Sequence, residues 1–243
     1  MEAKKINDLN IKIFADGADI SQIKKFNSNS LIKGFTTNPT LMRKQGISNY
    51  EDFSREILTF VKEKPVSFEI FADDEETIIS QARYIASWGH NVYVKIPVTN
   101  TKGEFLGKAI NTLSKENIKL NVTAVFTSEQ VNNILDAINS SAPNVISIFS
   151  GRIADAGVNP IKHFKHCINN ISINSNIEFL WASPRELYNL FDAEDAGADI
   201  ITISQDLINK IPNIGKDLSL YSKETVEMFY NDAKAAGYQL NDN

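Results

Sequence analysis

Val92-Tyr93-Val94-Lys95-Ile96-Pro97-Val98 is an apolar, β-branched run with a single lysine at its centre. Such a run reads as a strand. Neighbouring runs repeat the pattern: Val66–Ala72 before it and Leu120–Phe126 after it. Further out lie Ile11–Ala15, Gly34–Thr37, Val145–Phe149, Phe179–Ala182 and Ile200–Ser204. The eight runs recur at intervals of roughly 27 residues, close to the ~30-residue βαβ unit.

Helical patterns fill the gaps. Asn49–Lys62 carries Tyr50, Phe53, Ile57, Leu58 and Val61 at helical spacing, and Ser128–Asn139 carries Val131, Ile134, Leu135 and Ile138, with Ser128 as the expected start. Ser183-Pro184-Arg185-Glu186 reads as an N-cap with proline in the first turn. Eight alternations of strand and helix predict an α/β fold, a single (β/α)8 TIM barrel occupying residues 1–243 as one domain. A doubly wound sheet would more often carry a GxGxxG turn after its first strand, and none is present. A last amphipathic helix is expected from about Ser222 to Leu240, with Val226, Phe229 and Tyr230 apolar. It would either pack on the outside of the barrel or form a subunit contact.

The 243 residues suit one barrel, for which roughly 250 is typical. With 42% hydrophobic and 23% charged residues the chain is expected to be globular rather than disordered. The formal net charge of −5 argues against a nucleic-acid partner, whose footprint is basic. It does not argue against an anionic small molecule, which needs only a few local donors. The absence of a long apolar run predicts no membrane partner. MEAKKINDLN lacks the apolar core of a signal peptide, so the expected location is the cytoplasm. Cys167 is the only cysteine and can form neither an internal disulfide nor a CxxC site. His163 and His166 stand three apart, a spacing a metal could use, but no further ligand is evident beside them. They read as surface side chains, and no metal is expected.

In a barrel, catalytic groups sit at the C-terminal ends of the strands. Several expected strands carry polar residues there: Asp16 on the first, Thr36, Thr37 and Asn38 on the second, Glu69 on the third, and Lys95 on the fourth. Asn121 and Thr123 lie on the fifth, Ser147 leads into Arg152 after the sixth, and Ser183 and Arg185 follow the seventh. Lysine is rarely buried without a partner. An edge-of-strand lysine paired with a carboxylate would give the same pattern as Lys95. The functional reading is a desolvated amine with a lowered pKa, able to attack a carbonyl. Glu69 and Asp16 add two more ionisable groups on nearby strands, and together the three look like a site. Arg152 and Arg185 would suit a phosphate, although each alone reads as a surface residue.

Gly34-Phe35-Thr36-Thr37-Asn38-Pro39-Thr40 resembles the TTNP signature of the transaldolase family. Val94-Lys95-Ile96-Pro97-Val98-Thr99 looks like the strand that carries that family's Schiff-base lysine. Phe14-Ala15-Asp16 is similar to its first-strand aspartate segment, and Asn121-Val122-Thr123-Ala124-Val125-Phe126 to its fifth strand. The resemblance runs in order from about Ile11 to Ser204. It implies a barrel with no metal or organic cofactor, acting on small-molecule sugar phosphates. A homo-oligomer is expected, because family members range from dimers to larger rings.

By the same resemblance, Lys95 would form a Schiff base with a ketose phosphate such as fructose 6-phosphate or sedoheptulose 7-phosphate. Asp16 would be the general base, with Glu69 and Thr123 holding a proton-relaying water. Thr36, Asn38 and Asn121 would contact the three-carbon unit or orient Lys95, while Ser147, Arg152, Ser183 and Arg185 would form the phosphate end. The dihydroxyacetone unit would pass to an aldose phosphate. The family's fructose-6-phosphate aldolases instead release it, and they carry glutamine at the third-strand position and tyrosine in place of a sixth-strand phenylalanine. Glu69 and Phe149 both favour transaldolase. Ser183-Pro184-Arg185 departs from the family, which has an aromatic between the serine and the arginine. A differently substituted ketose, such as a sulfo-sugar, is therefore an alternative. A barrel that only binds sugar phosphates is the remote one.

Overall fold

A computed structural model describes residues 4–139, 141–169 and 176–240. Eight strands run in order: β1 (Lys12–Asp16), β2 (Ile32–Thr36), β3 (Val66–Glu69), β4 (Val92–Pro97), β5 (Leu120–Val125), β6 (Asn144–Ile148), β7 (Ile177–Trp181) and β8 (Ile200–Ser204). Each pairs in parallel with the next, and β8 closes on β1. The fold is the expected (β/α)8 barrel. Its helices are α1 (Ile20–Asn27), α2 (Pro39–Lys44), α3 (Tyr50–Phe60), α4 (Glu75–Ala86), α5 (Gly107–Lys115), α6 (Ser128–Ala137), α7 (Ser150–Asp155), α8 (Pro160–Ile168), α9 (Asn189–Ala196), α10 (Gln205–Lys210) and α11 (Leu218–Ala235).

Local chemistry sets the helix starts. The side chains of Asp19, Asn38, Asn49, Asp74 and Asn159 each accept from a backbone N–H in the following turn. Pro39 and Pro160 occupy first-turn positions, where a missing N–H is tolerated. The expected start of α6 at Ser128 is where the helix begins, capped by Thr127 through a reciprocal capping box with Gln130; another expected start is corrected. Ser183-Pro184-Arg185-Glu186 is not a helix start at all. Ser183 sits at φ 61°, and α9 begins only at Asn189, whose side chain accepts from the N–H groups of Arg185 and Glu186.

The core has two layers. Between sheet and helices lie Phe35, Phe68, Ile96, Val122, Phe164 and Trp181, among many others. Trp181 is fully buried and stacks on Phe164, so it belongs to this core. Inside the barrel a smaller apolar cluster, Phe14, Val145, Leu180, Ala182 and Ile200, closes the lower part of the lumen. Phe14 fits because its cross-strand neighbour is Gly34: a Cβ there would lie 2.5 Å from the Phe14 ring. The lumen above this plug is polar.

The C-terminal helix exists, as α11, but does not pack on the barrel as one reading expected. None of its residues is buried, and Leu218, Val226, Phe229 and Tyr230 are each more than 60% exposed.

Candidate active site

The polar residues singled out by sequence converge at the C-terminal mouth of the barrel. Strand register brings the central pair together, since Glu69 on β3 lies opposite Lys95 on β4. Inward-pointing side chains at paired positions are neighbours on a sheet. Lys95 is only 8% exposed. Its Nζ lies 3.2 Å from Glu69 Oε2 and donates to the Thr37 carbonyl at 3.1 Å. The simple reading, a strand lysine paired with a carboxylate, is thus part of the geometry. What distinguishes the pair is its place at the floor of a cavity.

That cavity has a volume of about 590 Å³, within the usual range for small-molecule sites. Asp16, Thr36, Asn38, Glu69, Lys95, Thr123, Ser147, Phe149, Arg152, Ser183 and Arg185 all line it. Asn121 does not. It is buried beneath the lining, where its amide donates to Ser67 Oγ at 3.0 Å and its carbonyl accepts from Ser147 Oγ at 2.7 Å. Facing Lys95 across the β4–β5 ladder, it braces the floor rather than meeting the cavity.

Asp16 ends β1, where Thr36 Oγ1 donates to Oδ1 at 2.7 Å. Burial pushes this carboxyl above its ordinary value, while the nearby Lys95 charge and the Thr36 bond pull the other way. Thr36 Oγ1 also lies 2.6 Å from Thr202 Oγ1 on β8. The Thr123 hydroxyl is buried and has no protein partner. Asn38 uses its side-chain oxygen to cap α2 at Leu41, which fixes its amide at the cavity wall.

At the opposite rim stand two guanidinium groups. Arg152 lies over the Phe149 ring, 5.5 Å from its centroid. Phe149 is not in β6 as expected but directly follows it, at the N-cap of α7. Arg185 is paired with Asp155, with Nε to Oδ1 at 3.1 Å. The backbone beside them is strained at Ser183 and, on β5, at Ala124, both non-glycine residues with φ near 60°.

Sequence reasoning missed two contributors and the role of a third. Thr202 was legible as the polar residue at an inward position of Ile200–Ser204. Lys44 lines the cavity from α2, and nothing distinguishes it in sequence from a surface lysine. Thr37 acts through its carbonyl, which no side-chain pattern reveals. His163 and His166 are engaged singly, with Phe126 O and Ser128 Oγ. Among the described residues no group of three His, Cys, Asp or Glu is placed to hold a metal ion, and no helix is long and apolar enough to cross a membrane. Burial raises the Cys167 thiol to about 11.

Residues 13–243 match the family model described as transaldolase/fructose-6-phosphate aldolase. The chain belongs to this family. It is 38% identical over 204 residues to a probable transaldolase 2 of Listeria monocytogenes, covering 83% of this chain and 88% of that one. A probable transaldolase of Methanococcus maripaludis is 37% identical over 204 residues, covering 84% and 90%. One from Dehalococcoides mccartyi is 38% identical over 198 residues, covering 79% and 86%.

Proposed function

We propose that this protein is a transaldolase that moves a dihydroxyacetone unit from a ketose phosphate to an aldose phosphate through a Schiff base on Lys95. The observation that carries the reading is Lys95 Nζ held between Glu69 and the Thr37 carbonyl at the floor of a cavity rimmed by Arg152 and Arg185. The amine would attack the C2 ketone, and loss of water would give an iminium. Glu69 and Thr123 would hold the water that carries those protons, a reading supported by the unpartnered Thr123 hydroxyl and by Glu69 lying beside Lys95. Asp16 would then take the C4 hydroxyl proton, breaking C3–C4 and leaving an enamine on Lys95. Thr36 and Asn38 would contact the three-carbon unit, and Ser147 and Ser183 would assist the arginines at the phosphate end. Glu69 and Phe149, together with the names of the relatives, support transfer over aldol release. Borohydride trapping with fructose 6-phosphate, followed by peptide mapping, tests the chemistry. A three- or six-carbon adduct on Lys95 is expected, and its absence in folded protein would overturn the assignment. Turnover that needs an added aldose phosphate separates transaldolase from aldolase.

We further take the chain to be a cytoplasmic homo-oligomer. Its exposed apolar α11 supports the assembly, since monomers rarely leave so large an apolar face open. A monomeric mass by sedimentation would refute it.

Arg152→Ala and Arg185→Ala are each expected to raise KM for phosphorylated substrates about tenfold or more, the scale of one charged hydrogen bond. KM for free dihydroxyacetone should barely change. Equal effects on both ligands would reject the phosphate assignment.

Asp16→Asn should still trap the ketose but lose roughly 10²–10⁴-fold in kcat. It should also stabilise the protein at neutral pH. Burial raises the Asp16 pKa, so the folded state binds this proton more tightly than the unfolded chain does. The resulting stability is full below the unfolded value near 3.8 and is lost as pH rises through the folded value. The variant should therefore melt a few degrees above the parent at pH 7, with the gap closing toward pH 4. A constant gap across that range would count against a raised Asp16.

A further inference from the structure

Strand β2 ends early. Its ladder with β3 consists of Phe35↔Val66 and Thr36↔Ser67, after which Thr37 N–H donates to Ser67 O at 3.3 Å and the chain turns into α2 at Pro39. Backbone groups alternate sides along a parallel strand. Ile70 N–H points to β4, where it meets Lys95 O at 3.1 Å. The N–H and C=O of Glu69 must then point to the side that β2 has vacated. Tyr50, the first residue of α3, fills that gap. Its hydroxyl donates to Glu69 O at 2.9 Å and accepts from Glu69 N–H at 2.6 Å. One phenol thus satisfies both backbone groups of the residue whose carboxylate faces Lys95. Thr37, whose carbonyl is the other partner of Lys95, lies against the same phenol. The ring is fixed edge-on by Phe71 at 4.4 Å and by Phe68 at 6.4 Å.

We propose that Tyr50 is a positioning residue: its hydroxyl takes the place of the missing β2 partner and holds the Glu69 main chain so that the carboxylate stays on Lys95. The consequence for turnover rests on the Schiff-base reading above.

Tyr50→Phe keeps the ring packing and removes only the hydroxyl. Stability will fall, because two backbone groups lose their partner, so a melting temperature alone does not decide the matter. The deciding measurement is a double-mutant cycle with Glu69→Gln, which tests whether two residues act as one unit. Tyr50→Phe is expected to lower kcat about tenfold with KM within twofold, and to add no further loss in the Glu69→Gln background. Parent-like kcat, or the same fold-loss in both backgrounds, would overturn the proposal. If the parent itself traps no ketose, the Schiff-base reading fails separately. Acylation of Lys95 by acetic anhydride, normalised to the exposed Lys102, then carries the test. Tyr50→Phe should change the pH profile of Lys95 labelling, but not in the Glu69→Gln background. An unchanged profile would overturn the proposal.

Discussion

Lys95→Ala should abolish both borohydride trapping and turnover, with kcat falling by at least about 10⁴-fold, as expected when the only covalent route is removed. The substitution does more than delete a nucleophile. It also strips Glu69 of the cation 3.2 Å away, so a structural objection could be raised against it. Lys95→Arg answers that objection. Arginine keeps a positive charge beside Glu69 but does not deprotonate in proteins, so it cannot form the Schiff base. Both variants should be equally inactive. Lys44 is a second amine on the cavity wall and serves as the internal control. An adduct on Lys44, or parent-like turnover by either Lys95 variant, would remove Lys95 from the mechanism.

Gly151→Ala should be the most damaging of the glycine-to-alanine substitutions. A Cβ on Gly151 would fall 1.5 Å from the Ser183 carbonyl oxygen and 2.5 Å from its carbon. The obstacle is main chain, so no rotamer change relieves it. Gly151 N–H also donates to Ala182 O at 3.2 Å, which ties the start of α7 to the end of β7. Separating the two segments should destabilise the protein by about 3 kcal/mol or more, the upper end of overpacking. In a chain of this size that is roughly 6–12 °C in melting temperature. Because Ser183 and Arg185 follow directly, KM for phosphorylated substrates should rise as well. A melting point within two degrees of the parent, by calorimetry, would show that this close approach does not exist.

The barrel was legible because its signal is repetitive: eight apolar runs at nearly constant spacing leave few architectures. Lys95, Glu69 and Asp16 stood out because ionisable side chains interrupt apolar strands. What escaped the sequence depends on backbone and on tertiary proximity. Thr37 contributes a carbonyl, Tyr50 a hydroxyl that meets a different element, and Lys44 a helix position with no distinctive neighbours. Ser183 was misread because Ser-Pro is a good local helix start, yet Ser183 adopts positive φ and its carbonyl packs against Gly151. Asn121 was expected to contact the three-carbon unit or to orient Lys95, which it faces across the β4–β5 ladder. Its alternating strand position gave the inward direction correctly but not the depth.

The Phe14 ring seated over Gly34 has a kinetic meaning. Because that ring and its apolar neighbours fill the lumen beside the polar cavity, substrates are expected to meet Lys95 from the C-terminal side of the barrel. On the Schiff-base route proposed above, the first aldose would leave by that side before a second entered. The order of events would be set by architecture, in a ping-pong cycle whose intermediate waits alone on the enzyme.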